Sequence, residues 1–190
     1  MAERRAGRRE QLLAAAHELL ADGGGAAVSV RAVCRAASLT ERYFYENFTN
    51  RDELVAAVFA AVEREVDATV QAAVAAAPPA AVAAAAVDAV VGLTIDQPDK
   101  GRILFLAPMT EPGLYVHVER VGRTLTERIT AQLPSGSSAE HRALVATSLA
   151  GALSHLFHEY VAGRLEVGRD AFVAHCVQLL HALGGLPEPG

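Results

Sequence analysis

Twenty residues near the N-terminus, Ser29 to Phe48 (SVRAVCRAASLTERYFYENF), fit few structures other than two short helices joined by a tight turn. Val30, Val33, Cys34 and Ala37 recur at i, i+3, i+4 and i+7, which puts them on one face of a helix. Ser29 stands just ahead of them, where a hydroxyl can accept from free backbone N–H groups. Thr40 is placed to do the same for a second helix, 41–48. There Phe44 and Phe48 share a face, and Leu39 in the turn can pack beside them. Arg42, Tyr43, Tyr45, Glu46 and Asn47 cannot then all point inward. Arginine, tyrosine and asparagine on a short exposed helix suit phosphates and base edges. A polar outer face is common to many helical hairpins, so the order of residues has to decide.

That order is specific. The run from Ala37 to Leu54 (ASLTERYFYENFTNRDEL) resembles the helix-turn-helix signature of TetR-family transcriptional regulators. Leu39, Thr40, Phe44, Tyr45, Phe48, Arg51, Asp52 and Leu54 carry the match. Three positions depart from it. Ser38 stands where glycine is usual, at a cost of about 1–2 kcal/mol if the turn needs a left-handed backbone. Arg42 replaces a small residue and offers a contact peculiar to this chain. Asn47 replaces an aromatic residue or histidine. The resemblance implies a homodimer, joined through its last two helices, that binds a palindromic operator in double-stranded DNA. It implies that Ser29, Thr40, Tyr45 and Arg51 hold phosphates. Arg42 and Tyr43, near the start of the second helix, are placed for base edges. Glu41 can accept from a cytosine or serve the helix's first turn, Arg31 can reach a base from the preceding helix, and Asn47 completes the expected DNA-binding set.

The totals agree. The chain has 190 residues, 52% of them hydrophobic, but only 5% aromatic and none tryptophan. Such an alanine-rich, proline-punctuated chain favours closely packed helices, and no credible strand is visible, so an all-α fold of about nine helices is expected. Net charge is −5, yet residues 1–51 hold eight arginines against six acids. The basic end can meet phosphate while the acidic remainder favours solubility. Cys34 and Cys176 each lie in an apolar helical stripe and read as buried thiols. No Cys/His spacing indicates zinc. The N-terminus lacks an apolar signal region and no uninterrupted apolar span reaches membrane length, so a cytoplasmic protein without membrane contact is expected.

Along the chain, residues 1–9 form a basic arm whose Arg4, Arg5, Arg8 and Arg9 either reach DNA or stay solvated. A first helix, 8–21, should end at Gly23-Gly24-Gly25. Asn50 can cap a long helix, 51–77, that stops at Pro78-Pro79. Further helices are expected at 79–95, 100–107 (with Pro108 breaking the chain), 114–133, 137–164 and 169–183, with Gly184-Gly185 and Pro187 ending the fold. Ser137 and Glu140 have capping-box spacing. Residues 137–164 are apolar around most of the helix and need covering on more than one side, which fits either a dimer interface, with Leu153, and Leu180 from the next helix, as its positions, or a helix buried within one subunit. The division expected is 1–50 for DNA binding and 51–190 for ligand binding and dimerisation.

The fold resemblance implies a small-molecule effector, expected to be mostly apolar, in a cavity of the body. Phe59, Phe105, Met109, Tyr115, His117, His155 and Tyr160 are its candidate lining, though each could equally fill a core. His155, His158 and Glu159 form the best metal-like cluster, in an order unlike H-E-x-x-H. No metal or cofactor is assigned, and no nucleophile elbow, phosphate loop or dinucleotide fingerprint is present. The leading reading is a ligand-responsive repressor and not an enzyme. A small helical metal enzyme using those histidines, or a protein-binding helical scaffold, are the alternatives.

Overall fold

The computed structural model describes residues 2–134 and 136–184, with side chains from 5 to 182 within that span. The side chains of Arg4 and Leu183, and the expected terminators Gly185 and Pro187, lie outside the described residues.

The described residues form helices joined by short turns and loops, without a strand. The elements are α1 (Ala2–Ala27), α2 (Val30–Ala36), α3 (Glu41–Tyr45), α4 (Arg51–Ala76), α5 (Val82–Thr94), α6 (Pro98–Gly101), α7 (Ala107–Thr110), α8 (Tyr115–Gln132), α9 (Ala139–Val161) and α10 (Arg169–Gly184). Short 3-10 turns, Pro79–Ala81 and Pro112–Leu114, lead into α5 and α8.

Several boundaries differ from expectation for local reasons. The triple glycine does not end α1: the chain kinks at Gly24, with φ 62° and ψ −167°, and helical bonding resumes to Ala27. Only glycine takes that backbone at little cost. Pro108 does not break the chain either. A π-helical stretch, Arg102–Leu106, joins α6 to α7, and the Ala107 N–H bonds the Arg102 carbonyl five residues back. With the register already shifted, the missing proline N–H falls in the first turn of α7, where it costs little. The cap of α9 is Ser138, accepting from His141 N at 3.1 Å, one residue later than the capping-box spacing indicated. Asn50 caps α4 as expected, accepting from Glu53 N at 2.8 Å.

Two apolar cores form. The first gathers Leu12, Leu20, Val33, Phe44, Phe48, Leu54, Val58, Phe59 and Val62, together with Ile103, Ala107 and Leu114. It therefore crosses the division at residue 50: the start of α4 and the 103–114 segment seal the N-terminal helices. The second joins α5, α8, α9 and α10 through Val87, Val91, Ile129, Leu149, Leu153, Phe157, Phe172, Cys176 and Leu180. Leu153 and Leu180, expected at a dimer interface, are each 8% exposed and pack inside one chain. Leu144 is the large hydrophobic residue that α9 turns outward among those described, 70% exposed.

Candidate nucleic-acid interface

The helix-turn-helix is built around two phenylalanines. Phe44 and Phe48 are buried, their ring centroids 5.8 Å apart, and they pack with Val33 and Cys34 of α2. Ser29 caps α2, its hydroxyl accepting from Ala32 N at 3.1 Å. Between the helices, Ser38 takes φ 54° and the Leu39 N–H bonds the Cys34 carbonyl at 2.8 Å. The left-handed backbone that glycine would suit is therefore present, occupied by serine. Thr40 sits at the cap position of α3, but its side chain makes no capping bond. Helix α3 ends at Tyr45 rather than Phe48.

With the phenylalanines turned in, Arg31, Thr40, Glu41, Arg42 and Tyr45 are exposed along α2 and α3. The Arg42 side chain is 84% exposed and pairs with Glu46 at 3.2 Å, and Arg31 pairs with Glu41 at 3.5 Å. Exposed pairs of this kind open at little cost. Asn47 is turned back, donating to the Tyr43 carbonyl at 2.8 Å. Arg35, exposed at the end of α2, belongs to the same surface and was not singled out from the sequence.

The N-terminal arginines do not form a loose arm. They lie on α1, which packs across α3. The Arg8 guanidinium covers the Tyr43 ring, Arg9 lies 4.9 Å from the Phe48 centroid, and Arg5 donates to the Glu46 carbonyl.

Arg51, expected at a phosphate, points inward. Its Nε donates to Val28 O at 2.7 Å, and one terminal nitrogen to Gly25 O at 2.7 Å. Both terminal nitrogens grip Glu111 at 2.7 Å, and one also reaches Asp52 at 3.0 Å. All five guanidinium N–H groups thus have partners. Its pKa is held above the ordinary arginine value, chiefly by the hydrogen bonds it donates to Glu111. Glu111 gave no signal in the sequence, because the pair is sixty positions apart.

The seven expected lining residues do not line one space. Met109 and Tyr115 are 66% and 64% exposed, and His155 faces outward on α9. Phe59 is buried in the first core and meets the ring of His117, while Phe105 and Tyr160 pack against the second core. An open cleft of about 360 Å³ lies instead between α1 and α4, lined by Leu13, Ala14, His17, Glu18, Val58 and Ala61. The histidine cluster does not converge on a metal position. The Nδ1 of His158 donates to the Phe105 carbonyl at 2.9 Å, and Arg164 grips Glu159 at 2.6 and 2.8 Å. Among the described residues, no group of three His, Cys, Asp or Glu could hold a metal ion.

A helix-turn-helix at the N-terminus of an all-helical body defines a class of DNA-binding regulator. Residues 12–58 match the family model of bacterial regulatory proteins, tetR family. The N-terminal unit is a TetR-family helix-turn-helix domain, and the whole chain has the TetR-like fold. A TetR-like transcriptional regulator from Rhodococcus sp. RHA1 is similar at 22% identity and a TM-score of 0.74, over 94% of this chain and 96% of that one. The multidrug binding protein EbrR, complexed with malachite green, is similar at 17% identity and a TM-score of 0.74, over 95% and 98%. The fatty acid degradation regulator FadR from Bacillus halodurans is similar at 17% identity and a TM-score of 0.69, over 96% and 97%. No curated protein matches the sequence. No single helix among the described residues is long and apolar enough to cross a membrane.

Proposed function

We propose that the chain is a dimeric, ligand-responsive transcriptional repressor acting in the cytoplasm, without catalytic activity. Residues 1–50 read DNA, and residues 51–190 bind an effector and dimerise. The observation that carries this is the exposed face of Arg31, Thr40, Arg42 and Tyr45 on a buried phenylalanine pair, within the segment that matches the family. Arg42 and Tyr43 read base edges, joined by Arg31 and Glu41. Ser29, Thr40, Tyr45 and Arg35 hold phosphates; the Ser29 hydroxyl accepts from Ala32 N and still has its hydrogen to donate. Asn47 braces α3.

Dimerisation runs through α9 and α10. Thr147, Ser148, Gly151 and Ser154 leave α9 exposed and narrow, which lets a second helix approach closely. Two recognition helices then enter major grooves about 34–36 Å apart, or a multiple of a turn, on a near-palindromic operator. The effector is a mostly apolar organic molecule, in keeping with the dye held by the similar multidrug binding protein. It must bind the DNA-competent and incompetent states differently to act.

The test is selection of a duplex from a random-sequence pool. Recovery of a palindrome bound in a salt-sensitive manner supports the reading. Recovery of no sequence, with binding equal on all duplexes, sinks it.

A further inference from the structure

We infer that Glu111, a residue of the body, positions the helix-turn-helix for DNA reading by holding the guanidinium that ties the two ends of that motif together. This rests on the DNA-binding reading above. Val28 directly precedes the two helices of the motif, and Arg51, three residues beyond Phe48, opens α4. The Arg51 Nε–H bond to Val28 O, at 2.7 Å, joins those ends through one side chain. The bond to Gly25 O, also 2.7 Å, adds the end of α1.

Glu111 sets the orientation of this guanidinium from outside the motif. Its two oxygens accept from the two terminal nitrogens at 2.7 Å each, the forked geometry that fixes a plane as well as a distance. Glu111 lies between α7 and the Pro112–Leu114 turn that leads into α8. It is 8% exposed, and with Thr94 it makes up the buried polar residues among those described. The carboxylate reaches its place because residue 25 is glycine. A Cβ there would overlap Oε1 of Glu111 and lie 3.1 Å from a terminal nitrogen of Arg51.

Helix α1, the start of α4 and the body therefore meet at one side chain. Ile103, Ala107 and Leu114, from the same segment as Glu111, pack in the N-terminal core. A shift of residues 103–114 must carry Arg51 with it or break the fork. Either outcome changes how Val28 and Arg51 hold the motif.

The test uses the full chain with Glu111→Ala, Glu111→Gln and Gly25→Ala. Gly25→Ala displaces the carboxylate while leaving both partners present. Hydrogen exchange gives the first readout. Amides of residues 25–51 are expected to exchange at least about tenfold faster in Glu111→Ala and Gly25→Ala, with α9 and α10 unchanged. No acceleration, or equal acceleration throughout, overturns the inference. The second readout is affinity for the duplex selected by the unaltered protein and for a scrambled duplex. Both variants should lose about tenfold more affinity on the selected duplex than on the scrambled one, with Glu111→Gln between. The double variant should be no weaker than either single one, because both break the same fork. An equal gain on both duplexes would mean that Glu111 merely neutralises a phosphate-binding arginine, and that overturns positioning. If the unaltered protein selects no duplex, the DNA-binding reading falls, and the exchange result still decides whether Glu111 holds the motif.

Discussion

The guanidinium of Arg8 lies 4.1 Å from the ring centroid of Tyr43, and the same side chain approaches Glu46 at 3.6 Å. The first helix thus stacks a cation on α3 at the residue proposed to read bases. Removing it should cost about 0.5–1 kcal/mol of stability and loosen Tyr43. In Arg8→Ala, affinity for the selected duplex should fall further than affinity for a scrambled one, and Arg8→Lys should recover part of the loss. Equal losses on both duplexes would make Arg8 a phosphate ligand instead.

Arg42 projects into solvent, paired with Glu46. A bidentate bond to guanine would contribute about 1–3 kcal/mol of discrimination. Arg42→Ala should relax preference at one base pair per half-site and leave scrambled DNA nearly unaffected. Titrations of both duplexes at two salt concentrations check this. Uniform weakening with a flatter salt slope would assign Arg42 to phosphate.

Ser38 holds φ 54° in the turn between α2 and α3. Relieving the strain is offset partly by the greater freedom of unfolded glycine, so Ser38→Gly should stabilise the fold by about 1 kcal/mol. Urea unfolding measures it, and an unchanged or lowered midpoint would rule the strain out.

A Cβ on Gly151 of α9 meets nothing within 4 Å in the single chain. Gly151→Arg should therefore leave the subunit folded while wedging two subunits apart. Sedimentation at micromolar concentration should change from dimer to monomer, with helical content preserved. A variant that remains dimeric would place the interface elsewhere.

Burial in the second core pushes the Cys176 thiol from 9.0 to about 11. The folded value lies above the unfolded one, so the neutral thiol supports stability in full below about pH 9. That support is lost as pH rises through about 11. Unfolding midpoints should fall across that window, and the slope should flatten in Cys176→Ala, whose overall stability is lower from the cavity left behind. An equal slope in both proteins would dissociate the effect from Cys176.

What could be read in advance was whatever depends on near neighbours. The caps at Ser29 and Asn50 and the inward phenylalanines follow from residues within four places of one another, while the left-handed position at Ser38 follows from the family resemblance, which has glycine there. Ser137 and Ser138 compete for one cap, and spacing alone chose the wrong hydroxyl. The glycine run at 23–25 looked like an ending because local pattern cannot tell a kink from a stop. The inward turn of Arg51 is hidden from local pattern for a different reason. A basic residue beside an acidic one before leucine carries no trace of Glu111, which arrives by tertiary packing. The dispersal of the candidate lining residues has the same origin: Met109, Tyr115 and His155 are apolar or aromatic enough to be buried, and only the path of the chain leaves them exposed.

The fork between Arg51 and Glu111 also sets where this chain can be cut and rejoined. A chimera that moves only residues 29–50 onto another regulator carries the reading surface but leaves Gly25, Arg51 and Glu111 behind. Such a graft should take its anchorage from the host. Moving residues 1–62 together with an arginine-compatible carboxylate at the host's equivalent of position 111 keeps specificity and anchorage as one transferable cassette.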